Sequence, residues 1–378
     1  MQIVFDYLMY KSITKKISGN FIIENLLQFF FDVVLKLIRF LSKLFSKKGG
    51  SVCIISIHKL GDSIFTFDTI NSIKTYYKNR DVFIICNYNS KDIYNLIHPK
   101  EFVLNLPKSC FHFNDRYLDS KARKILRSLN PEIIIDITGV MTSASLIFNS
   151  TAKEIFGINR KLFRSIYDKF IETNTNLVSK QIYLNAIKEI IPINPIITNK
   201  VRNNNSNSIK TILIAPFAGW KSREWGLGKY ITLSERLSND YEVELLFDQT
   251  FITREIIDYL SINGIKYYIS KSVNELINKI KEYDLVIGND SGPIHIAEFL
   301  GKYTFTIYGP TNPYYHKEEG ENHEFIQKVL PCSPTSSERL CFTDGGKDGC
   351  PSFECMSLLS VDEVYEKLLK SISKWNSD

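Results

Sequence analysis

The sequence has no long apolar run free of charge. The nearest to one, FIIENLLQFFFDVVLKLIRFLSKLFSK at 21–47, is interrupted by Glu24, Asp32, Lys36 and Arg39. Each charge is costly at mid-bilayer, which argues against a membrane-spanning helix. No small-residue cleavage site follows, which argues against a secretory signal peptide. The disulfide framework of a small secreted domain is missing too, since seven cysteines in 378 residues are few and odd in number. Nor is this the composition of a disordered chain or a low-complexity fibre, with 44% hydrophobic and 23% charged residues.

A broad charge imbalance is also absent. The formal net charge is +6, but residues 1–50 hold eight basic and three acidic side chains, leaving the other 328 residues at +1. A nucleic-acid binder usually spreads basic groups over a folded face. The near-neutral body argues against a nucleic-acid partner.

The basic leader has a pattern of its own. Glu24, Asn25, Gln28, Asp32, Lys36, Arg39, Lys43 and Lys47 recur at steps of three and four, which puts them on one stripe of a helix. Phe, Ile, Leu and Val fill the rest of the circumference. Such a helix can pack on the protein body with a narrow solvent face, or serve as an assembly contact. It can also lie in a membrane interface, with Lys36, Arg39, Lys43, Lys47 and Lys48 near anionic headgroups. The wide apolar face and the basic end favour the membrane. Gly49-Gly50 then ends the segment.

From residue 51 apolar runs alternate with helical patterns. VCIISI (52–57), VFIIC (82–86), FVLNL (102–106) and EIIIDI (132–137) read as buried strands, with helices expected at 62–79, 90–97 and 119–129. The run PINPIITNKVRNNNSNS at 192–208 breaks the pattern and reads as a linker. The alternation resumes with strands at 211–217, 243–247, 266–269, 284–288 and 304–309. Helices are expected at 228–239, 253–262, 273–281, 293–300 and 361–374. Continuous apolar strands separated by helices imply parallel sheets covered on both faces, here in two α/β domains. The expected organisation is a helical segment (1–50), a first domain (51–195), a linker (196–208), a second domain (209–360) with a Cys-rich loop at 332–355, and a C-terminal helix (361–378). Ligands of such sheets bind beyond the carboxyl ends of the strands.

Three places could carry chemistry. After the first strand, Gly61 permits a tight turn and Asp62 starts a helix. The local sequence favours Asp62 as an N-cap, yet a carboxylate there is also well sited as a general base. The run Gly288-Asn289-Asp290-Ser291-Gly292-Pro293-Ile294-His295 follows a strand and opens a helix. Its N–H groups, the helix dipole and His295 suit an anion, with Gly292 permitting close approach. This reading is favoured over a merely capped helix with a solvated His. The third place is Ala215 to Trp225, where Lys221 and Arg223 could hold a diphosphate. The alternative there is a loop whose Trp residues pack between helices, and the sequence leaves both open.

Together these segments resemble glycosyltransferase family 9, the ADP-heptose:lipopolysaccharide heptosyltransferases. SVCIISIHKLGDSIFTFDTINSIK (51–74) is similar to the family's opening element, and TILIAPFAGWKSREWGLGKYITL (211–233) to the start of its second domain. DLVIGNDSGPIHIAEFLGKYTFTIYGPTNP (284–313) matches its most recognisable block. Cys350-Pro351, Cys355-Met356 and Ser360 to Val364 resemble its end. The resemblance covers residues 51–374. Asp68 stands where the family usually has Pro, and the N-terminal helix has no counterpart in the family's core pattern.

The resemblance implies an α/β GT-B fold, two Rossmann-like domains facing a cleft, here with an amphipathic helical extension. It implies an inverting, metal-independent glycosyltransferase moving heptose from ADP-heptose to a lipopolysaccharide core or other lipid-linked saccharide. Alternatives are another nucleotide sugar, a protein acceptor, or a nucleotide-sugar-binding protein without turnover. The catalytic base falls on Asp62, the nucleotide-sugar contacts on Asp290, Ser291, Gly292 and His295, and the phosphate cation on Arg223 or the nearby Lys221. For the ribose-binding acid, Glu255 and Asp248 are the candidates. The expected setting is the inner face of a bacterial cytoplasmic membrane.

No cofactor is expected for catalysis. Cys332, Cys341, Cys350 and Cys355 have the spacing C-x8-C-x8-C-x4-C. This is not a zinc-finger spacing, although four thiolates could hold a structural Zn or Fe. The alternative is free thiols in a loop loosened by Gly345-Gly346 and Gly349. Cys53, Cys86 and Cys110 read as small core residues.

Overall fold

The computed structural model describes residues 21–46, 49–159, 161–174, 178–198, 208–316, 320–335, 338–341, 350 and 352–377. Lys47, Lys48, most of the expected linker (199–207) and part of the Cys-rich loop (336–337, 342–349 and 351) lie outside the described residues. Contacts divide the chain into two compact units, the first closing at Thr198.

The first unit carries strands β1 (Ser51–Ser56), β2 (Val82–Cys86), β3 (Val103–Asn105), β4 (Phe111–His112), β5 (Tyr117–Leu118), β6 (Pro131–Asp136), β7 (Glu154–Asn159) and β8 (Lys169–Glu172). Leaving out the β4–β5 hairpin, the sheet runs β3-β2-β1-β6-β7-β8, every pair parallel. The second unit carries β9 (Thr211–Ala215), β10 (Glu242–Asp248), β11 (Tyr267–Ser270), β12 (Leu285–Asn289), β13 (Tyr303–Tyr308) and β14 (His323–Gln327). Its order is β11-β10-β9-β12-β13-β14, again all parallel. Each sheet is therefore Rossmann-like, its order reversing between β1 and β6 in one unit and between β9 and β12 in the other.

The central strands form as expected because their side chains are apolar on both faces, and β1 is buried along its whole length. The expected helix at 62–79 is instead two helices, Leu60–Ile64 and Phe67–Tyr76. At the break the Thr66 N–H and hydroxyl both donate to the Ser63 carbonyl, at 3.1 and 2.6 Å, a tight turn between the two helices. Asp68, the departure from the family pattern, accepts the Thr198 N–H at 2.8 Å, while the Ser72 hydroxyl accepts the Ile196 N–H at 2.8 Å. The first residues of the expected linker are thus bound to the first unit. The C-terminal helix Val361–Trp375 is not a separate segment either. Val364, Leu368, Ile372 and Trp375 belong to the core of the second unit.

Among the described residues no helix is long and apolar enough to cross a membrane. The helix Phe21–Leu44 docks on the first unit through Phe31 and Leu35. Arg39, expected near headgroups, is instead 5% exposed. It donates to the carbonyls of Ala152 (2.9 Å) and Lys153 (3.1 Å) and to the Asp168 carboxylate. Burial would push the Asp168 carboxyl up, but Arg39, the Ile155 N–H and Lys43 together hold it below its ordinary value. The helix thus packs on the protein and still exposes a second apolar stripe.

One turn admits only glycine. Gly139 follows β6 at φ +58°, and a Cβ there would lie 1.7 Å from the Ile158 carbonyl oxygen. Its N–H and that of Thr138 donate to the buried Asp136 carboxylate at 3.0 and 2.9 Å. The variant Gly139→Ala is expected to lose at least about 2 kcal/mol through left-handed strain and the backbone clash. Thermal denaturation checks this, and an unchanged midpoint would refute the steric argument.

Candidate functional site

In the second unit, β9 and β12 lie side by side where the strand order reverses, and the two candidate loops leave their carboxyl ends. Asn289, the last residue of β12, ties the loops together. Its side chain donates to the Pro216 carbonyl at 2.7 Å and accepts from the Trp225 N–H at 3.0 Å and the Tyr230 hydroxyl at 2.9 Å. Trp225 is itself buried, its indole donating to the Leu359 carbonyl at 2.8 Å. That part of the third segment is packing, as its alternative reading held.

This anchoring brings Arg223 to Asp290. The guanidinium lies 3.1 Å from the Asp290 carboxylate, donates to the Asp290 carbonyl at 3.2 Å and sits over the Trp220 ring at 4.0 Å. Lys221 behaves differently. It is exposed and pairs with Glu224 at 2.9 Å. Of the two cations that the sequence left open, the structure brings Arg223 to the β12 loop.

Asp290 is 1% exposed and surrounded by donors. His295 Nε2 lies 3.2 Å from one oxygen, while the Thr311 hydroxyl (2.8 Å) and His316 Nδ1 (3.3 Å) reach the other. Burial opposes ionisation of Asp290. His316, Arg223 and His295 outweigh it and hold the carboxyl well below the usual carboxylate range. His295 is buried, not solvated. Burial would lower its pKa, but Asp290 and Glu298, the latter 2.9 Å from Nδ1, raise it to about 10. The ring is an imidazolium at neutral pH with both nitrogens engaged. It lends charge to the site, and the expected hydrogen bond from His295 to an anion has no free donor.

Ser291 precedes the helix Gly292–Phe299 at the N-cap position, and its side chain makes no capping bond. Among the described residues, its Oγ and the Arg223 Nε are buried without hydrogen-bond partners. The loop after β12 therefore holds the Arg223 guanidinium with its unspent Nε, the unspent Ser291 hydroxyl and the positive end of a helix dipole, an arrangement suited to a phosphate-bearing anion. Gly292 opens this helix. Asp248, at the end of β10, is turned to its own loop and accepts the Thr250 N–H at 2.7 Å. Glu255 sits in the first turn of the following helix, Arg254–Ile262.

In the first unit Asp62 follows β1, one of the two strands at that sheet's reversal. It is not the N-cap. The helix begins earlier, at Leu60, with Lys59 in the cap position and making no side-chain capping bond. Asp62 is exposed and has no hydrogen-bond or ion-pair partner among the described residues. Gly61 lies inside the same helix, outside the left-handed region. The neighbouring His58 packs edge-on against Tyr183 at 5.2 Å, and burial lowers its pKa against the pull of Asp62.

The four late cysteines line one pocket of about 200 Å³, with Ser222, Gly309 and Leu330. Burial, then the proximity of the other three thiols, pushes Cys355 up to about 11. The donor set is chemically right for a soft metal. Among the described residues, however, no three His, Cys, Asp or Glu side chains stand at metal-binding spacing. Cys53, Cys86 and Cys110 are buried core residues, as expected.

The sequence reading missed His316, Thr311 and Glu298. One signal was available for His316: the chain has only six histidines, and two of them meet at Asp290.

Comparison with known proteins gives a consistent result. A model of glycosyltransferase family 9 (heptosyltransferase) matches residues 120–343, more than half of the chain. Lipooligosaccharide heptosyltransferase 2 of Campylobacter jejuni is 23% identical over 335 residues, 82% of this chain and 96% of that protein. Among solved structures, the ADP-heptose lipopolysaccharide heptosyltransferase II of E. coli superposes with a TM-score of 0.65 at 13% identity, covering 86% of this chain and 99% of that one. The iron-containing dodecameric glycosyltransferase TibC of enterotoxigenic E. coli does so with a TM-score of 0.51 at 14% identity, covering 87% and 77%. Two Rossmann-like units match the GT-B architecture, and a reading without turnover gives way to that of an enzyme. The chain belongs to glycosyltransferase family 9, the heptosyltransferases.

Proposed function

We propose that this glycosyltransferase transfers a heptose from ADP-heptose to a lipid-linked saccharide of the lipopolysaccharide core, with inversion, at the inner face of the bacterial cytoplasmic membrane. The observation that carries the reading is the pair of unspent buried donors, Ser291 Oγ and Arg223 Nε, at the start of the helix Gly292–Phe299. A diphosphate supplies the acceptors these groups lack. Asp290 is a positioning residue, holding Arg223, His295 and His316 in place and countering their charge. The names of the related enzymes, a lipooligosaccharide and an ADP-heptose lipopolysaccharide heptosyltransferase, support this donor and acceptor class.

Asp62 accepts the proton of an acceptor hydroxyl as its oxygen attacks the anomeric carbon. The bond from that carbon to the diphosphate oxygen breaks, and ADP departs from the opposite face. Arg223, the helix-end N–H groups and the nearby imidazolium charge take up the charge of ADP, so the chemistry asks for no divalent metal. Cys332, Cys341, Cys350 and Cys355 would hold a structural Zn or Fe, for which the iron of TibC is the supporting parallel. No catalytic step passes through it.

ADP release tests the proposal. With a lipid-linked core saccharide, ADP-heptose is expected to turn over and other nucleotide sugars to lag by tenfold or more. Equal turnover with a protein acceptor, or preference for another nucleotide sugar, would overturn it in favour of that alternative.

A further inference from the structure

Where the helix Phe21–Leu44 meets the turn at Lys161–Ile166, an open pocket of about 510 Å³ is lined by Lys36, Arg39, Lys43 and Arg164 together with Phe40 and Phe170. The carboxylate in its wall is Asp168, spent on Arg39 and on Lys43 at 3.0 Å. Asp32 stands behind, 3.4 Å from Arg164 and accepting the Ser165 hydroxyl at 2.6 Å. Four cations thus face two carboxylates, and the excess is positive. Lys36 has no partner among the described residues. Arg39 is buried and fixed by backbone carbonyls, yet its Nε has no hydrogen-bond partner among the described residues. The site has surplus charge, a preset guanidinium and one unspent buried donor.

The pocket adjoins an apolar surface. Phe30, Val33, Leu37, Phe40, Leu41 and Leu44 are exposed by 47–64% along the same helix, and Phe40 belongs to both. Their spacing of three and four residues makes one stripe. An occupant that presents an anion directly beside hydrocarbon satisfies both features. A phospholipid does this, its phosphodiester in the pocket and its acyl chains beside the stripe.

We infer that the pocket of Lys36, Arg39, Lys43 and Arg164 binds the phosphate of an anionic phospholipid while the adjoining stripe enters the acyl region. The inference deepens the membrane setting proposed above and does not depend on the sugar transferred. The docking of Phe31, Leu35 and Arg39 on the first unit keeps the stripe outward, so the whole unit would follow the helix to the membrane.

The test is sedimentation of the full chain with phosphatidylglycerol or phosphatidylcholine vesicles, without sugar donor. The native protein is expected to bind phosphatidylglycerol at least about tenfold more tightly, from roughly 1 kcal/mol per basic group near the surface. The double variant Lys36→Glu/Arg164→Gln is expected to lose that preference with an unchanged melting temperature. Leu37→Ser/Phe40→Ser, at two exposed positions, is expected to weaken binding to both vesicles. Equal binding of the native protein to the two lipids, or a preference that survives the charge variant, would overturn the inference. So would a dimer that the Leu37→Ser/Phe40→Ser variant splits while vesicle binding persists, since the stripe would then cover a second copy. Because vesicle binding needs neither donor nor acceptor, failure here and failure of the heptosyl-transfer reading are separately visible.

Discussion

Replacing Asp62 by Asn is expected to lower turnover by roughly 10²–10⁴-fold, the usual worth of a positioned general base. At about 1.4 kcal/mol per factor of ten, that is about 3–5 kcal/mol of transition-state stabilisation. The amide keeps the size of the carboxylate and cannot take the acceptor's proton. The expectation is sharp because Asp62 carries no structural duty: it is exposed, caps no helix and bonds to none of the described residues. Melting temperature and ADP affinity should therefore stay at native values, and Asp62→Ala should match Asp62→Asn. Single-turnover measurement at saturating donor isolates the chemical step. A native rate in a folded Asp62→Asn variant would take Asp62 out of the mechanism.

Asp290→Asn should act in the opposite way, through stability and nucleotide affinity together. The native carboxylate is buried among Arg223, His295, His316 and Thr311. Neutralising it leaves buried positive charge without its counter-ion, a change that typically costs about 3–5 kcal/mol. Arg223 loses the group that places it, so ADP binding weakens too. Linkage gives the native protein a matching pH signature. Asp290 has a depressed pKa in the folded state, so its contribution is present above the ordinary carboxylate pKa and lost as pH falls through the folded value. His295 has a raised pKa, so its contribution is complete below about 6.5 and drains away as pH rises toward about 10. Denaturant unfolding across pH, with calorimetric ADP titration, reads both effects. An Asp290→Asn protein with native stability and native ADP affinity would show that the cluster does not organise the site.

Much of the fold was legible. The inner strands of both sheets, β1, β2 and β6 and then β9, β10, β12 and β13, announce themselves because burial on both faces demands unbroken apolar runs. Besides the two-residue strands β4 and β5, the strands that were missed are β7, β8 and β14, which carry charged or polar residues. β8 (KFIE) and β14 (HEFIQ) are edge strands with partly exposed side chains, so neither alternation nor a continuous run survives. The break between the helices at 60–64 and 67–76 was hidden because it is a single tight turn at Thr66, whose N–H and hydroxyl both bond the Ser63 carbonyl, with no Gly or Pro to mark it.

The sequence by itself determined the class of protein and the places where chemistry could sit. Strand, turn and helix start follow one another locally, and the 284–313 block keeps its identity in one dimension. Only the tertiary structure decided what those residues do to one another. It brought Arg223 and not Lys221 to Asp290, buried His295 as an imidazolium between two carboxylates, brought in His316 from 26 residues beyond Asp290, and fixed Arg39 on the carbonyls of the first unit. The physical reason is common to all four. Charge state and hydrogen-bond availability are set by burial and by neighbours that are close in space and distant along the chain, and a periodicity of three or four residues carries no record of them.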